Sequence, residues 1–149
     1  MIELLIIALS LAGLANSVYF TFAYYGRVKK SRWIPEILCA REGSSCVTVV
    51  QTPYARVFGV PNSLLGILYY VALIGWFFLP NAWLVVHGWT IPLARAALWL
   101  LLPVSAATVA LGFYLVYALR RILHIDCPLC YTAHAINLAI FVLLLLSNW

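Results

Sequence analysis

The chain has 149 residues, of which 66% are hydrophobic and 9% are charged. Soluble domains carry about 25% charged residues, so this composition excludes an ordinary soluble domain and predicts one membrane domain over residues 1–149, with the lipid bilayer as its solvent. The net charge of +5 does not indicate nucleic-acid binding, because the basic residues flank apolar segments and form no patch the size of a groove.

Four apolar segments predict an all-α fold, a bundle of four transmembrane helices at about 2–25, 63–79, 92–119 and 128–146. The first segment begins with Glu3 rather than with the positive charge of a signal peptide, and it is long enough to cross the hydrocarbon layer, about 30 Å thick. It is therefore expected to remain as a helix. The loop at about 26–62 is long for a helix connection and predicts a lid over the bundle. An inert cap is the alternative.

All four cysteines are expected on the same side of the membrane. Cys39 and Cys46 lie in the long loop, and Cys127 and Cys130 lie at the head of the fourth segment. The second segment crosses away from the loop and the third returns, so the fourth begins where the loop lies. Cysteines gathered in this way indicate shared chemistry rather than scattered packing.

A row of polar residues follows the CPLC motif into the fourth segment. At 100° per residue, Cys127, Cys130, His134 and Asn137 fall within a sector roughly 80° wide. Polar side chains inside a span are costly and normally face the bundle interior or a cavity. The row therefore predicts the polar lining of a pocket that enters the bilayer. Hydrogen bonding between helices is the alternative for His134 and Asn137.

The CPLC spacing suits a disulfide that opens and closes. Unpaired backbone N–H groups at a helix start stabilise a thiolate, and Pro128 suits a first turn, whereas Asp126 opposes a neighbouring negative charge. Two alternatives remain, a zinc site of four thiolates and two structural disulfides. Zinc usually prefers two pairs of CxxC type, whereas six residues separate Cys39 from Cys46.

Taken together, these motifs resemble the vitamin K epoxide reductase family, including its bacterial and archaeal homologues, over essentially the whole chain. The matching features are, in chain order, the loop pair Cys39 and Cys46, then Val49, Thr52 and Tyr54 after Cys46, Phe58-Gly59, the segment PNSLLG from Pro61 to Gly66, CPLC, and Ala135 to Asn137. A bacterial quinone-linked disulfide generator has similar cysteines but places its CxxC before its loop pair. Here the loop pair comes first.

The resemblance implies a prokaryotic homologue without a fused thioredoxin domain. It implies a membrane thiol oxidoreductase that oxidises dithiols of a thioredoxin-like partner and reduces a membrane quinone, of menaquinone or vitamin K type or of ubiquinone type. Metal, flavin and haem are not expected. A metal-binding or disulfide-stapled membrane protein without redox turnover is the alternative.

The resemblance also implies roles for individual residues. Cys130 is expected to face the quinone, Cys127 to exchange with Cys46, and Cys39 to meet the partner. Asn62 corresponds to an asparagine that hydrogen-bonds a quinone oxygen.

His134 stands where animal members of the family carry a tyrosine as a second donor. Imidazole also donates, but it titrates near neutral pH. Asn137, Phe58 and Tyr54 are further candidates for the pocket lining.

Basic residues are unevenly distributed between the two predicted sides. The cysteine side carries eight of them, namely Arg27, Lys29, Lys30, Arg32, Arg41, Arg56, Arg120 and Arg121, and the opposite side carries only Arg95. Short loops rich in Lys and Arg stay in the cytoplasm, so this bias predicts a multi-pass protein of the cell membrane whose cysteines face the cytoplasm. The alternative is an extracytoplasmic cysteine side, with some of these charges holding the lid or attracting a partner.

Overall fold

Helices make up most of the structure, a computed structural model that describes residues 1–27, 45–57, 59–87 and 92–147. The side chains of residues 45–46, 78–87 and 92–98 fall outside this description, as do Cys39 and Phe58. The helices are α1 (Ile2–Tyr24), α2 (Ser45–Val50), α3 (Asn62–His87), α4 (Pro92–Tyr117) and α5 (Pro128–Ser147).

Among the described residues, three helical stretches are long and apolar enough to cross a membrane, namely Ile2–Tyr24, Trp99–Leu123 and Pro128–Ser147. The prediction of a mostly helical membrane protein is therefore confirmed. The predicted second span lies within α3, whose apolar part, Asn62–Phe77, is shorter. The helix itself continues to His87, beyond the predicted end of the span at Leu79, so Pro80 lies within α3 instead of ending it.

An unusual turn links α4 to the CPLC motif. Helix α4 continues as a six-residue π-helix, Ala118–Leu123, and His124 ends it in the left-handed conformation with φ of 52°. The amide of Ile125 then donates to the carbonyl of Leu119 over 3.1 Å. Single turns of π-helix are rare and occur often at functional sites. This turn leads directly into the short segment that contains Cys127.

Helix α1 lies at the centre of the packing. It packs against α3 on one side and α5 on the other, and α4 packs against α5. At Gly13 a Cβ would overlap the ring of Tyr70, and at Gly66 a Cβ would lie 2.6 Å from Ser17 Oγ. Small residues therefore let α1 and α3 approach closely, as they do in many membrane bundles.

Two hydrophobic clusters mark the two ends of the bundle. One joins Phe20 and Ala23 at the end of α1 to Cys127 and Cys130 at the start of α5. The other joins Ile6, near the start of α1, to residues that include Tyr70, Leu73, Ile140 and Leu144. Helices α1 and α5 are therefore antiparallel, with both ends of their contact sealed by apolar side chains.

Part of the predicted lid is structured. After α2 come a 3-10 turn, Pro53–Ala55, and two short antiparallel strands, β1 (Arg56–Val57) and β2 (Val60–Pro61), which pair Val57 with Val60. Gly59 forms the turn between them with φ of 82°, a value that glycine adopts without steric cost. This ribbon is a short addition to a structure that is otherwise mostly helical in its described residues. Helix α2 packs on α1 and α5.

Candidate functional site

Cys127 and Cys130 are joined by a disulfide at the start of α5, with a Cα–Cα distance of 5.3 Å. Because α5 begins at Pro128, the bridge encloses the first residues of the helix. The amide of Cys130 donates to the carbonyl of Cys127 over 3.1 Å and lies 3.3 Å from its Sγ. Cys127 is fully buried, and Cys130 is 8% exposed. The CPLC motif thus holds a closed disulfide that is shielded from the surface.

A cavity of about 160 Å³ lies between the helices beside Cys130. Its wall is mostly aliphatic and aromatic, and all five helices contribute to it. The polar side chains in the wall are those of Ser17, Thr52, Asn62, Ser63, Thr108, His134 and Asn137, together with four tyrosines. Cys130 is part of the wall and Cys127 is not, so of the two bridged residues Cys130 is the one that borders this space.

The structure brings most of the predicted site residues together. Asn62, His134, Asn137 and Tyr54 all line the cavity with Cys130. Cys127 lies behind it, in the cluster that also contains Val49 and Val50 of α2. The predicted residues Cys39 and Phe58, and the side chain of Cys46, lie outside the described residues.

Asn62 is held by the lid segment that precedes it. Its Nδ2 donates to the carbonyl of Tyr54 over 3.3 Å, which leaves the second hydrogen of that amide nitrogen for another acceptor. Its Oδ1 is buried without a hydrogen-bond partner within the described parts of the chain. The hydrogen bond therefore fixes the orientation of the Asn62 amide, whose remaining hydrogen-bonding capacity is unused among the described residues.

His134 lies in a gap that Gly112 provides. A Cβ at residue 112 would lie 2.9 Å from His134 Nδ1. That nitrogen is buried and has no hydrogen-bond partner among the residues described. The ring therefore turns Nδ1 towards α4 and leaves Nε2 as the nitrogen that can meet a ligand.

Two tyrosines of α3 form hydrogen bonds at the other end of the cavity. Tyr70 donates its hydroxyl hydrogen to Asn137 Oδ1 over 2.6 Å, and the hydroxyls of Tyr69 and Ser105 lie 2.7 Å apart. Asn137 therefore makes the bond between helices that the sequence offered as the alternative to a pocket role, and it lines the cavity as well.

Sequence reasoning did not single out this tyrosine pair. A signal was present, since Asn62, Gly66 and Tyr69 recur at helical spacing and so share one face of α3.

A polar cluster outside the cavity ties α4 to α5. Arg120 Nε donates to the hydroxyl of Tyr131 over 3.4 Å, and that hydroxyl donates to Asp126 Oδ1 over 3.1 Å. The guanidinium carbon also lies 5.3 Å from the centre of the Tyr131 ring. The Asp126 carboxylate, expected to oppose a thiolate at Cys127, is thus engaged by its own neighbours.

Residues 4–145 match the Vitamin K epoxide reductase family, which is nearly the whole chain. The chain belongs to the vitamin K epoxide reductase family. The resemblance seen in its motifs is thereby confirmed. No curated protein matches the chain as an individual relative.

Membership identifies the protein as a membrane oxidoreductase of a family whose chemistry links disulfides and quinones, in general with thioredoxin-like partners. The closed disulfide beside a largely apolar cavity agrees with that chemistry. Within the described ranges, no group of three or more His, Cys, Asp or Glu side chains is placed to hold a metal ion. The four-thiolate zinc alternative also requires the side chains of Cys39 and Cys46, which lie outside those ranges.

Proposed function

We propose that this protein oxidises the dithiol of a thioredoxin-like partner and passes the two electrons to a membrane quinone, thereby generating disulfides. The observation that carries this proposal is the position of Cys130, whose side chain lines the largely apolar cavity while Cys127 lies behind it. A quinone partitions into lipid and a protein dithiol stays in water. An enzyme that links them needs one sulfur at an apolar pocket and another within reach of a thiol from the aqueous side.

Electron transfer would follow the order of the four cysteines. A partner dithiol reduces a Cys39–Cys46 disulfide and becomes a disulfide itself. The Cys46 thiolate then attacks Cys127 Sγ and releases Cys130 as a thiolate, and Cys39 resolves the mixed disulfide. Cys127 and Cys130 next close their own disulfide, and the two electrons and two protons convert the quinone to the hydroquinone. The protein returns to its starting state.

Asn62 and His134 would hold the quinone oxygens in this proposal. The Nδ2 of Asn62 retains one hydrogen beyond its bond to Tyr54. For His134, an unpaired lone pair at the buried Nδ1 is less costly than an unpaired N–H group there. The favoured neutral tautomer therefore carries its hydrogen on Nε2, which then acts as a donor to a ligand oxygen.

The architecture that serves this function would be a four-helix bundle with a lid. Helix α3 starts beside the cavity at Asn62, and its Leu73 belongs to the same buried cluster as Ile6 near the start of α1 and Leu144 near the end of α5. It therefore extends from the cavity to that cluster, as α5 does. We infer that α3 crosses the membrane with α1, α4 and α5. Helix α2 and the β1–β2 ribbon would cover the cavity on the cysteine side.

The decisive experiment is quinone reduction by purified protein in detergent. The full chain is mixed with a short-chain menaquinone or ubiquinone analogue and a reduced thioredoxin-like protein, and loss of quinone absorbance is followed. Turnover is expected for the wild type and is expected to be absent for Cys130→Ala. Equal rates for the two proteins would reject the proposed function.

The non-enzymatic alternative is tested with the same preparation. A metal-binding role for the four cysteines predicts zinc at one atom per chain, and a metal-binding or a structural role alike predicts no quinone reduction. The proposed function predicts quinone reduction that persists after treatment with a chelator. Metal analysis beside the activity assay therefore separates the two.

A further inference from the structure

Asn16 places an amide in the middle of an apolar helix. At 1.5 Å per residue it lies about 12 Å from the end of α1 at Tyr24, within a helix long and apolar enough to cross a membrane. A polar group there has lost its hydration, so its burial is costly wherever the protein does not supply a hydrogen-bond partner. The partners of Asn16 therefore indicate what the residue does.

The amide nitrogen of Asn16 forms a hydrogen bond with the backbone of the CPLC turn. Asn16 Nδ2 donates to the carbonyl oxygen of Leu129 over 3.0 Å, across 113 positions of the chain. Leu129 lies between the two bridged cysteines and next to Cys130. Asn16 is not part of the cavity wall, whereas its neighbour Ser17 is. The amide thus contacts the backbone of the redox turn rather than the space for a ligand.

The acceptor half of the amide has no hydrogen-bond partner in the part of the chain that the structure describes. Asn16 Oδ1 is buried without a hydrogen bond to any residue that the structure describes. An unpaired buried acceptor destabilises the folded protein, and an apolar side chain of similar size would join α1 to α5 without that cost. The bond from Nδ2 to Leu129 is therefore the useful part of this side chain.

We propose that Asn16 is a positioning residue that stabilises the disulfide form of Cys127–Cys130 relative to the dithiol form. This inference rests on the redox role of that pair proposed above. Reduction breaks the Sγ–Sγ bond and adds two electrons and two protons, which a dithiol reagent supplies while it becomes a disulfide.

In the closed form the bridge holds the two Cα atoms 5.3 Å apart and fixes the Leu129 carbonyl where Asn16 meets it. Once the bridge opens, the turn gains freedom and the same hydrogen bond contributes less. Because a contact shifts an equilibrium only by the difference in its strength between the two states, Asn16 favours the closed one.

The test is the redox equilibrium of the central pair in the full-length protein in detergent. The protein is equilibrated with mixtures of reduced and oxidised dithiothreitol and quenched with a maleimide. Mass spectrometry of the peptide that contains Cys127 and Cys130 then gives the reduced fraction. For Asn16→Leu, the ratio of reduced to oxidised dithiothreitol at the midpoint is expected to fall about threefold to tenfold, as the loss of one hydrogen bond predicts.

Three further variants make the result specific. Asn16→Ser removes the long amide and keeps a small polar residue of a kind that α1 already buries at Ser10 and Ser17, so it is expected to show the same shift even if Asn16→Leu folds poorly. Thr132→Val is the matched control for the turn, because the Thr132 hydroxyl donates to the carbonyl of Pro128 over 3.0 Å within α5. Ser10→Ala is the control for α1. Both controls are expected to keep the wild-type midpoint.

The outcomes decide the proposal in both directions. A midpoint that stays at the wild-type value in both Asn16 variants would overturn it, and so would an equal shift in Thr132→Val. This equilibrium contains neither quinone nor protein partner. A failure of quinone reduction would therefore reject the proposed function without changing this measurement, and an unchanged midpoint would reject the role of Asn16 without affecting quinone turnover.

Discussion

The position of the His134 ring depends on the absence of a side chain at residue 112. A Cβ there would lie 2.9 Å from His134 Nδ1 and 3.3 Å from its Cγ. Both distances are shorter than ordinary contacts, and the obstacle is the base of a ring rather than the end of a flexible chain. Glycine at residue 112 therefore allows His134 to lie against α4 beside the cavity.

Gly112→Ala should weaken quinone binding without harming the disulfide itself. The new methyl group displaces the imidazole into the cavity, and overpacking of this kind costs about 1–3 kcal/mol. We expect the KM for the quinone to rise about tenfold, while the rate at which dithiothreitol reduces Cys127–Cys130 stays close to the wild-type rate. Steady-state kinetics with varied quinone measure the first quantity, and maleimide trapping measures the second.

Ala110→Val is the control for this substitution. Residue 110 is exposed on the same helix, so the larger side chain adds volume away from His134. An unchanged KM in Gly112→Ala, or an equal rise in Ala110→Val, would contradict the role given to Gly112.

Among the structural elements, α2 is the one that packs beside the Cys127–Cys130 disulfide. Its residues Val49 and Val50 are buried in the same cluster as Cys127 and Cys130, and Cys46 belongs to its first turn. The short helix therefore anchors a loop cysteine near the end of the bundle where the central disulfide lies. A structured α2 beside Cys127 suits exchange between the two cysteine pairs.

Cys46→Ala should separate the two sources of electrons. Transfer from a thioredoxin-like protein is expected to stop, because a folded partner depends on the loop pair. Reduction by a small dithiol is expected to continue, because such a reagent reaches Cys127–Cys130 directly. Quinone reduction measured with each donor tests this prediction, and Ser45→Ala, the adjacent change in α2, serves as the control. Equal loss with both donors would instead indicate a structural role for the loop pair.

The distribution of charge over the whole molecule bears on its orientation. Arg56 lies 5.4 Å from the ring of Tyr24 and so links the β1 strand to α1, and Arg120 lies over Tyr131. These two residues thus have local roles, in line with the alternative that some charges hold the lid. The six other basic residues on the predicted cysteine side still outnumber the one, Arg95, on the predicted opposite side.

We therefore expect the cysteine side to face the cytoplasm. Lys and Arg in short loops favour the cytoplasmic side, and disulfide formation there suits organisms with disulfide-rich intracellular proteins. A membrane-impermeant maleimide, added to intact cells after reduction, should leave Cys39 and Cys46 unlabelled, and labelling should appear after lysis. Ready labelling of intact cells would reverse the orientation and leave the redox chemistry unaffected.

Local patterns in the sequence determined the broad architecture and much of the site. Apolar runs long enough to cross a bilayer predicted the helices, because an unpaired backbone is too costly in lipid for most other structures. Helical periodicity placed Cys130, His134 and Asn137 on one face of α5, and the motif PNSLLG pointed to Asn62. These residues line one cavity.

Only the tertiary structure decided which partner each polar group meets. The pairs Asn16 with Leu129, Tyr70 with Asn137, and Tyr69 with Ser105 join residues on different helices. Sequence periodicity predicts which residues share one face of a helix. It does not predict how that helix is rotated about its axis relative to its neighbours, or how far neighbouring helices are shifted along their axes. Those two quantities follow from how small residues such as Gly13 and Gly112 allow the helices to approach each other. They also explain physically why Cys130 borders the cavity and Cys127 does not, an order that the sequence indicated only through its resemblance to a family.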